Sequence, residues 1–61
     1  MAYMTGTLRS YQVDFRHKAP GQRRFHKAFS LPLADSEEAA VAKVLAYRSG
    51  ETVEILGVKP A

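Results

Sequence analysis

Between Phe15 and Ala34 the chain carries no carboxylate, while Arg16, Lys18, Arg23, Arg24 and Lys27 place five cations in that stretch. Guanidinium groups are planar forks that fit phosphate oxygens and the guanine edge, whereas ammonium groups act on phosphate as point charges. The chemistry open to these side chains is therefore anion recognition, with Arg16, Arg23 and Arg24 suited to bidentate contact and Lys18 and Lys27 to anchoring. The other four cations are outnumbered by six carboxylates, so a lobe of charge +5 sits on a body of charge −2 within a net +3. Segregation of this kind points first to nucleic acid as the partner, DNA ahead of RNA, and second to an acidic protein.

Other chemistry finds little support in the sequence. There is no cysteine, and Ser10, Ser30, Ser36 and Ser49 lie outside any nucleophile motif. His26 and Asp14 are expected to face each other on the polar side of a hairpin, an arrangement like an oriented general base but lacking a pocket and a third group. His17 and His26, the two imidazoles, differ in parity and are expected on opposite sheet faces, which does not make a metal site. Gly6, Gly21, Gly50 and Gly57 are isolated and match no phosphate loop, so no nucleotide cofactor is implied. The expectation is a non-enzymatic protein without metal or cofactor.

The elements that position the cations can be read from periodicity. Tyr11, Val13 and Phe15 alternate with Gln12, Asp14 and Arg16, the pattern of a strand with one buried face, expected over residues 7–18 with a bulge or a separate segment near Arg9 and Ser10. Phe25, Phe29, Leu31 and Leu33 form a second alternating set, expected over 22–33, with Pro32 marking an edge or an end. Pro20 and Gly21 between them suit the central positions of a turn. A symmetric reversal there would oppose odd residues to even ones and put Phe15 and Phe25 on opposite faces. Burying both aromatic sets together requires a bulge or an odd-length loop, so an irregular hairpin tip is expected. On that reading the rings pack in the core, and Lys27, sharing parity with Phe25 and Phe29, lies at the core margin with its ammonium reaching outward.

Asp35-Ser36-Glu37-Glu38 reads as a helix start, with Asp35 as N-cap and Glu38 closing a capping box. Ala40, Val41, Val44, Leu45 and Tyr47 supply an apolar stripe, and Ser49-Gly50 a stop, giving a helix over 36–49. Thr52 to Val58 alternates as a third strand, with Gly57 marking a bulge. The expected fold is a small single α+β domain of order ββαβ, its helix packed on one face of a mostly antiparallel sheet, with residues 1–6 and 59–61 flexible. Which hairpin strand the third strand joins is not fixed by the sequence.

A chain of 61 residues buries only about 60% of its unfolded surface, and here no disulfide or thiolate-bound metal supplements the core. Self-association into a homodimer, for instance by pairing sheet edges, is one remedy. The N-terminus has no signal-peptide pattern and no apolar run is long enough to span a bilayer, so a cytoplasmic location without membrane contact is expected. The leading functional expectation is an accessory protein whose basic β-hairpin contacts nucleic-acid phosphates. Its alternative is a protein-binding modulator, inhibitor or assembly module that offers the hairpin or a sheet edge to an acidic partner.

Overall fold

The computed structural model describes residues 7–61; the expectation of a flexible 1–6 lies outside them. Four strands and a helix follow in the order β1 (Arg9–Lys18), β2 (His26–Ser30), β3 (Leu33–Ala34), α1 (Glu37–Tyr47) and β4 (Thr52–Pro60). The sheet is antiparallel and β1 is its centre, with β2 and β3 on one side and β4 on the other. This is the α+β arrangement expected from the sequence, and it settles the position of the last strand.

β2 and β3 are two parts of one edge. Val13 pairs with Ser30 and Arg9 with Ala34, so both segments keep residue numbers that sum to 43. Pro32 interrupts them because it has no N–H, yet its carbonyl still accepts from the Tyr11 amide at 3.0 Å. Arg9 and Ser10 therefore belong to the regular ladder, without the expected bulge. The bulge occurs in β4 instead, where Asp14 opposes Gly57 and Phe15 opposes Ile55, leaving Leu56 as the extra residue beside the glycine that the sequence singled out. Residues 59–61 are not loose: Lys59 and Pro60 complete β4, and the Ala61 amide donates to the Ser10 carbonyl at 3.0 Å.

The hairpin register corrects the expected core. A sum of 43 sets odd residues against even ones, so Tyr11, Val13 and Phe15 share a face with Ala28 and Ala34, while Phe29 lies opposite Asp14. The loop Ala19–Phe25 is irregular, but it does not shift this parity. Its start is a turn in which the Gln22 amide donates to the Ala19 carbonyl at 3.1 Å and Gly21 takes a φ of 87°. That is the positive φ expected of the residue after proline in such a turn. The second strand is shorter than the expected 22–33 because Gln22 to Phe25 serve this loop.

The helix covers the face formed by Tyr11, Val13 and Phe15. Ala40 and Val44 join these three and Ala34 in the buried core, with Val53, Ile55 and Val58 packed at its margin. Small residues at Ala34 and Ala40 leave room for α1 to approach the sheet. The N-cap is Ser36 rather than Asp35: its carbonyl accepts from the Ala40 amide at 3.0 Å and its hydroxyl from the Ala39 amide at 3.1 Å. With the cap moved by one residue, Ala39 stands where the capping box needs Glu or Gln, so no box forms. Glu37 and Glu38 still occupy the first turn, where the helix dipole favours carboxylates. Gly50, at a φ of 94°, follows the C-terminus, and the last turn ends at Tyr47, before the expected residue 49. Leu45 and Tyr47, assigned by periodicity to the apolar stripe, are exposed.

Candidate nucleic-acid interface

Alternation along β1 sends Gln12, Asp14, Arg16 and Lys18 to the face that the helix leaves open. The register adds Lys27 opposite Arg16, and Phe29 opposite Asp14. On this face the Arg16 guanidinium lies 4.5 Å from the Phe25 ring centroid, and the Lys18 ammonium lies 5.1 Å from the same ring. Phe25 thus gathers two cations from a neighbouring strand and is half-buried beneath them. Lys27 is exposed on the open face, not at the core margin, because the register places its whole parity set away from the helix. Arg23 and Arg24 are exposed in the loop that leads into Phe25.

The five cations are not equivalent. Arg16 is engaged by Glu54 across the β1–β4 ladder, with its Nη2 at 2.6 Å and its Nε at 2.7 Å from one carboxylate oxygen. Both side chains are more than two-fifths exposed, so the pair is screened and contributes little to stability. Its effect on the surface is to neutralise one cation. Among the described residues, Lys18, Arg23, Arg24 and Lys27 have no carboxylate at ion-pair distance. Four free cations therefore remain, three of them within or bordering the hairpin loop and the fourth on the open face of β2.

The apolar part of the open face was not expected from the sequence. Phe29 is 62% exposed, and it lines a groove with Asp14, Lys27 and Leu56. The Asp14 carboxylate in that groove accepts from the Gln12 amide nitrogen at 3.0 Å through one oxygen. Gln12 is thereby tied to Asp14. Gln22, in the hairpin loop, accepts from the Ala19 amide at 3.0 Å and braces the turn.

No family model matches the chain, and neither the curated proteins nor the solved structures include a match. The functional reading accordingly rests on this geometry.

The histidines are arranged differently from the expectation. His17 opposes His26 directly, with ring centroids 6.0 Å apart, on the face that the helix covers. Asp14 is across the sheet from this pair, so the Asp14–His26 couple considered as a general base does not exist. At the end of the core His17 instead meets the helix terminus: its Nδ1 is 3.1 Å from a Glu51 carboxylate oxygen and 3.3 Å from an Arg48 Nη1. Arg48 also lies 5.3 Å from the Phe15 ring centroid and 3.3 Å from Glu51. This cluster ties the helix C-terminus to β1 on the side away from the free cations. No group of three or more residues suited to holding a metal ion occurs among the described residues, and no helix among them is long and apolar enough to cross a membrane.

Leu56 reaches this face as the extra residue of the β4 bulge, and Phe29 escaped the sequence reading for a separate reason. A regular reversal at Pro20-Gly21 already carried the parity that the structure adopts. The demand that both aromatic sets share one core argued against it.

Proposed function

We propose that this chain is a non-enzymatic nucleic-acid-binding protein whose basic hairpin and open sheet face contact the phosphate backbone. The observation that carries the reading is the placement of Lys18 and Lys27 on one open face, with Arg23 and Arg24 exposed in the loop that joins β1 to β2 and none of the four paired with a carboxylate among the described residues. A convergent cation set raises local phosphate concentration and releases counterions on binding, whereas scattered cations would serve solubility alone. The helix lies on the opposite face and acts as a scaffold.

The test is fluorescence anisotropy with a labelled oligonucleotide across a salt series. Neutralisation of phosphates by the four free cations corresponds to a slope of log affinity against log salt of about −3. The double variant Arg23→Ala plus Arg24→Ala is expected to halve that slope. A flat salt response, or binding unchanged in the double variant, would overturn the proposal.

A second reading rests on a separate observation. β4 pairs only with β1 among the described residues, and beside its outer edge Val41, Leu45 and Val58 form an apolar groove with Glu37 and Glu38. Those carboxylates disfavour an acidic protein there, so the occupant that fits this edge is a second copy of the chain, paired strand to strand. Sedimentation over a concentration series distinguishes a self-associating chain from a monomer, and a concentration-independent monomer would remove this reading.

A further inference from the structure

The basic face also contains an exposed ring, and its surroundings select one form of nucleic acid. Phe29 is 62% exposed, and among the described residues no cation lies over its ring and no second ring packs against it. Lys27 and Leu56 flank it in the groove, and Asp14 is its direct partner across the ladder. The Arg16–Lys27 pair is the next pair on the same face, about 7 Å along the strands. An aromatic ring, a carboxylate and a cation pair thus lie in sequence along one open surface.

Duplex DNA hides the faces of its bases in the stack and offers only edges, so an exposed phenyl ring on a sheet has nothing to stack on there. Unpaired bases present their faces, and sheet proteins that bind single strands combine aromatic platforms with phosphate-tracking cations. From this we propose that the open face binds single-stranded nucleic acid, with one base stacked on Phe29 in the groove and the adjoining phosphates on the free cations Lys27 and Lys18. This rests on the nucleic-acid reading above and names the strand form it takes.

Asp14 adds a preference among bases. Gln12 occupies one of its oxygens, leaving the other to accept from an amino group such as cytosine N4–H2. Thymine and uracil carry a carbonyl oxygen at that position, which would meet the carboxylate unfavourably. The base stacked on Phe29 is accordingly one with an exocyclic amine, and cytosine is the smallest such base.

The test is an anisotropy titration with single-stranded oligo-dC, oligo-dT and oligo-rC and with a blunt duplex of equal length. Single-stranded oligo-dC should bind more tightly than the duplex and more tightly than oligo-dT, and comparison with oligo-rC separates DNA from RNA as the source of the strand. Phe29→Ala should weaken single-strand binding about 5- to 150-fold and leave duplex binding unchanged. Phe29→Leu should behave like the alanine variant and Phe29→Tyr like the parent, since stacking requires a ring. Asp14→Asn should erase the preference for oligo-dC over oligo-dT. Single-strand affinity unaffected by Phe29→Ala, or a duplex bound as tightly as the single strand, would overturn this inference while leaving salt-dependent binding intact. If none of the oligonucleotides binds, the parent reading fails with it.

Discussion

Phe15 and Phe29 both belong to alternating strand patterns, yet the ladder pairs Phe15 with Ala28 and so places Phe29 on the other side of the sheet. The consequence is a difference in exposure from 1% to 62% between two rings of the same kind. One register decision thus divides the aromatic residues into a core ring under the helix and a surface ring beside the cations.

This division predicts unequal energetic roles. Phe15→Ala should destabilise the fold by about 3–5 kcal/mol, which a domain of this size tolerates poorly. Phe29→Ala should stay within about 0.5 kcal/mol of the parent. Urea unfolding followed by circular dichroism measures both, and comparable losses would mean that Phe29 packs in the core.

The helix start provides a second test. Ser36→Ala removes the acceptor for the Ala39 amide and should cost about 1 kcal/mol, whereas Asp35→Ala removes no cap and should cost less. Thermal unfolding of the two variants ranks them. A larger loss for Asp35→Ala would place the cap one residue earlier.

Two glycines should respond unequally to substitution. A Cβ at either Gly21 or Gly57 would meet nothing within 4 Å, so steric room does not distinguish them. Gly21 has a φ of 87°, and Gly21→Ala should therefore destabilise by about 1 kcal/mol through backbone strain alone. Gly57→Ala, without a positive φ, should be close to neutral. Equal effects in urea unfolding would contradict this assignment of the turn.

The ion pair between Arg16 and Glu54 holds one cation out of the basic set. Glu54→Gln should free the guanidinium, tightening single-strand binding and steepening the salt slope by about 0.7. Stability should change by less than about 1 kcal/mol, because the pair is exposed. The salt series with this variant measures the slope, and an unchanged slope would indicate that Arg16 does not reach phosphate.

At the hairpin end of the core, on the helix side of the sheet, Arg48 joins Phe15, His17 and Glu51, and a lysine cannot reproduce that planar contact. Arg48→Lys should lose about 1 kcal/mol or more, with oligonucleotide affinity unchanged. Parallel unfolding and binding assays check both halves of this expectation. A parallel loss of affinity would bring Arg48 into the interface.

Much of the fold was legible because local signals agreed: alternation marked β1 and β4, Pro20-Gly21 marked the turn, Gly57 marked the bulge, and Ala40 and Val44 marked the helix face. The cap was misplaced by one residue because Asp35 and Ser36 are both good caps, and only the backbone path after β3 selects between them. The candidate surface was half legible. Its cations stand out as a run without acids, but pairing of Arg16 with Glu54 depends on a contact between residues 38 apart in the chain. Exposure of Phe29 depends on parity across an irregular loop, where alternation within each strand says nothing about which faces coincide.

The most direct test is to map single-stranded oligo-dC onto the protein by amide chemical-shift perturbation. Shifts are expected at Asp14, Arg16, Lys27, Phe29 and Leu56 on the open face and at Arg23 and Arg24 in the loop, with Val41 and Leu45 on the helix unaffected. Perturbations confined to the helix and the β4 edge, or none at saturating oligonucleotide, would contradict a nucleic-acid interface on this face.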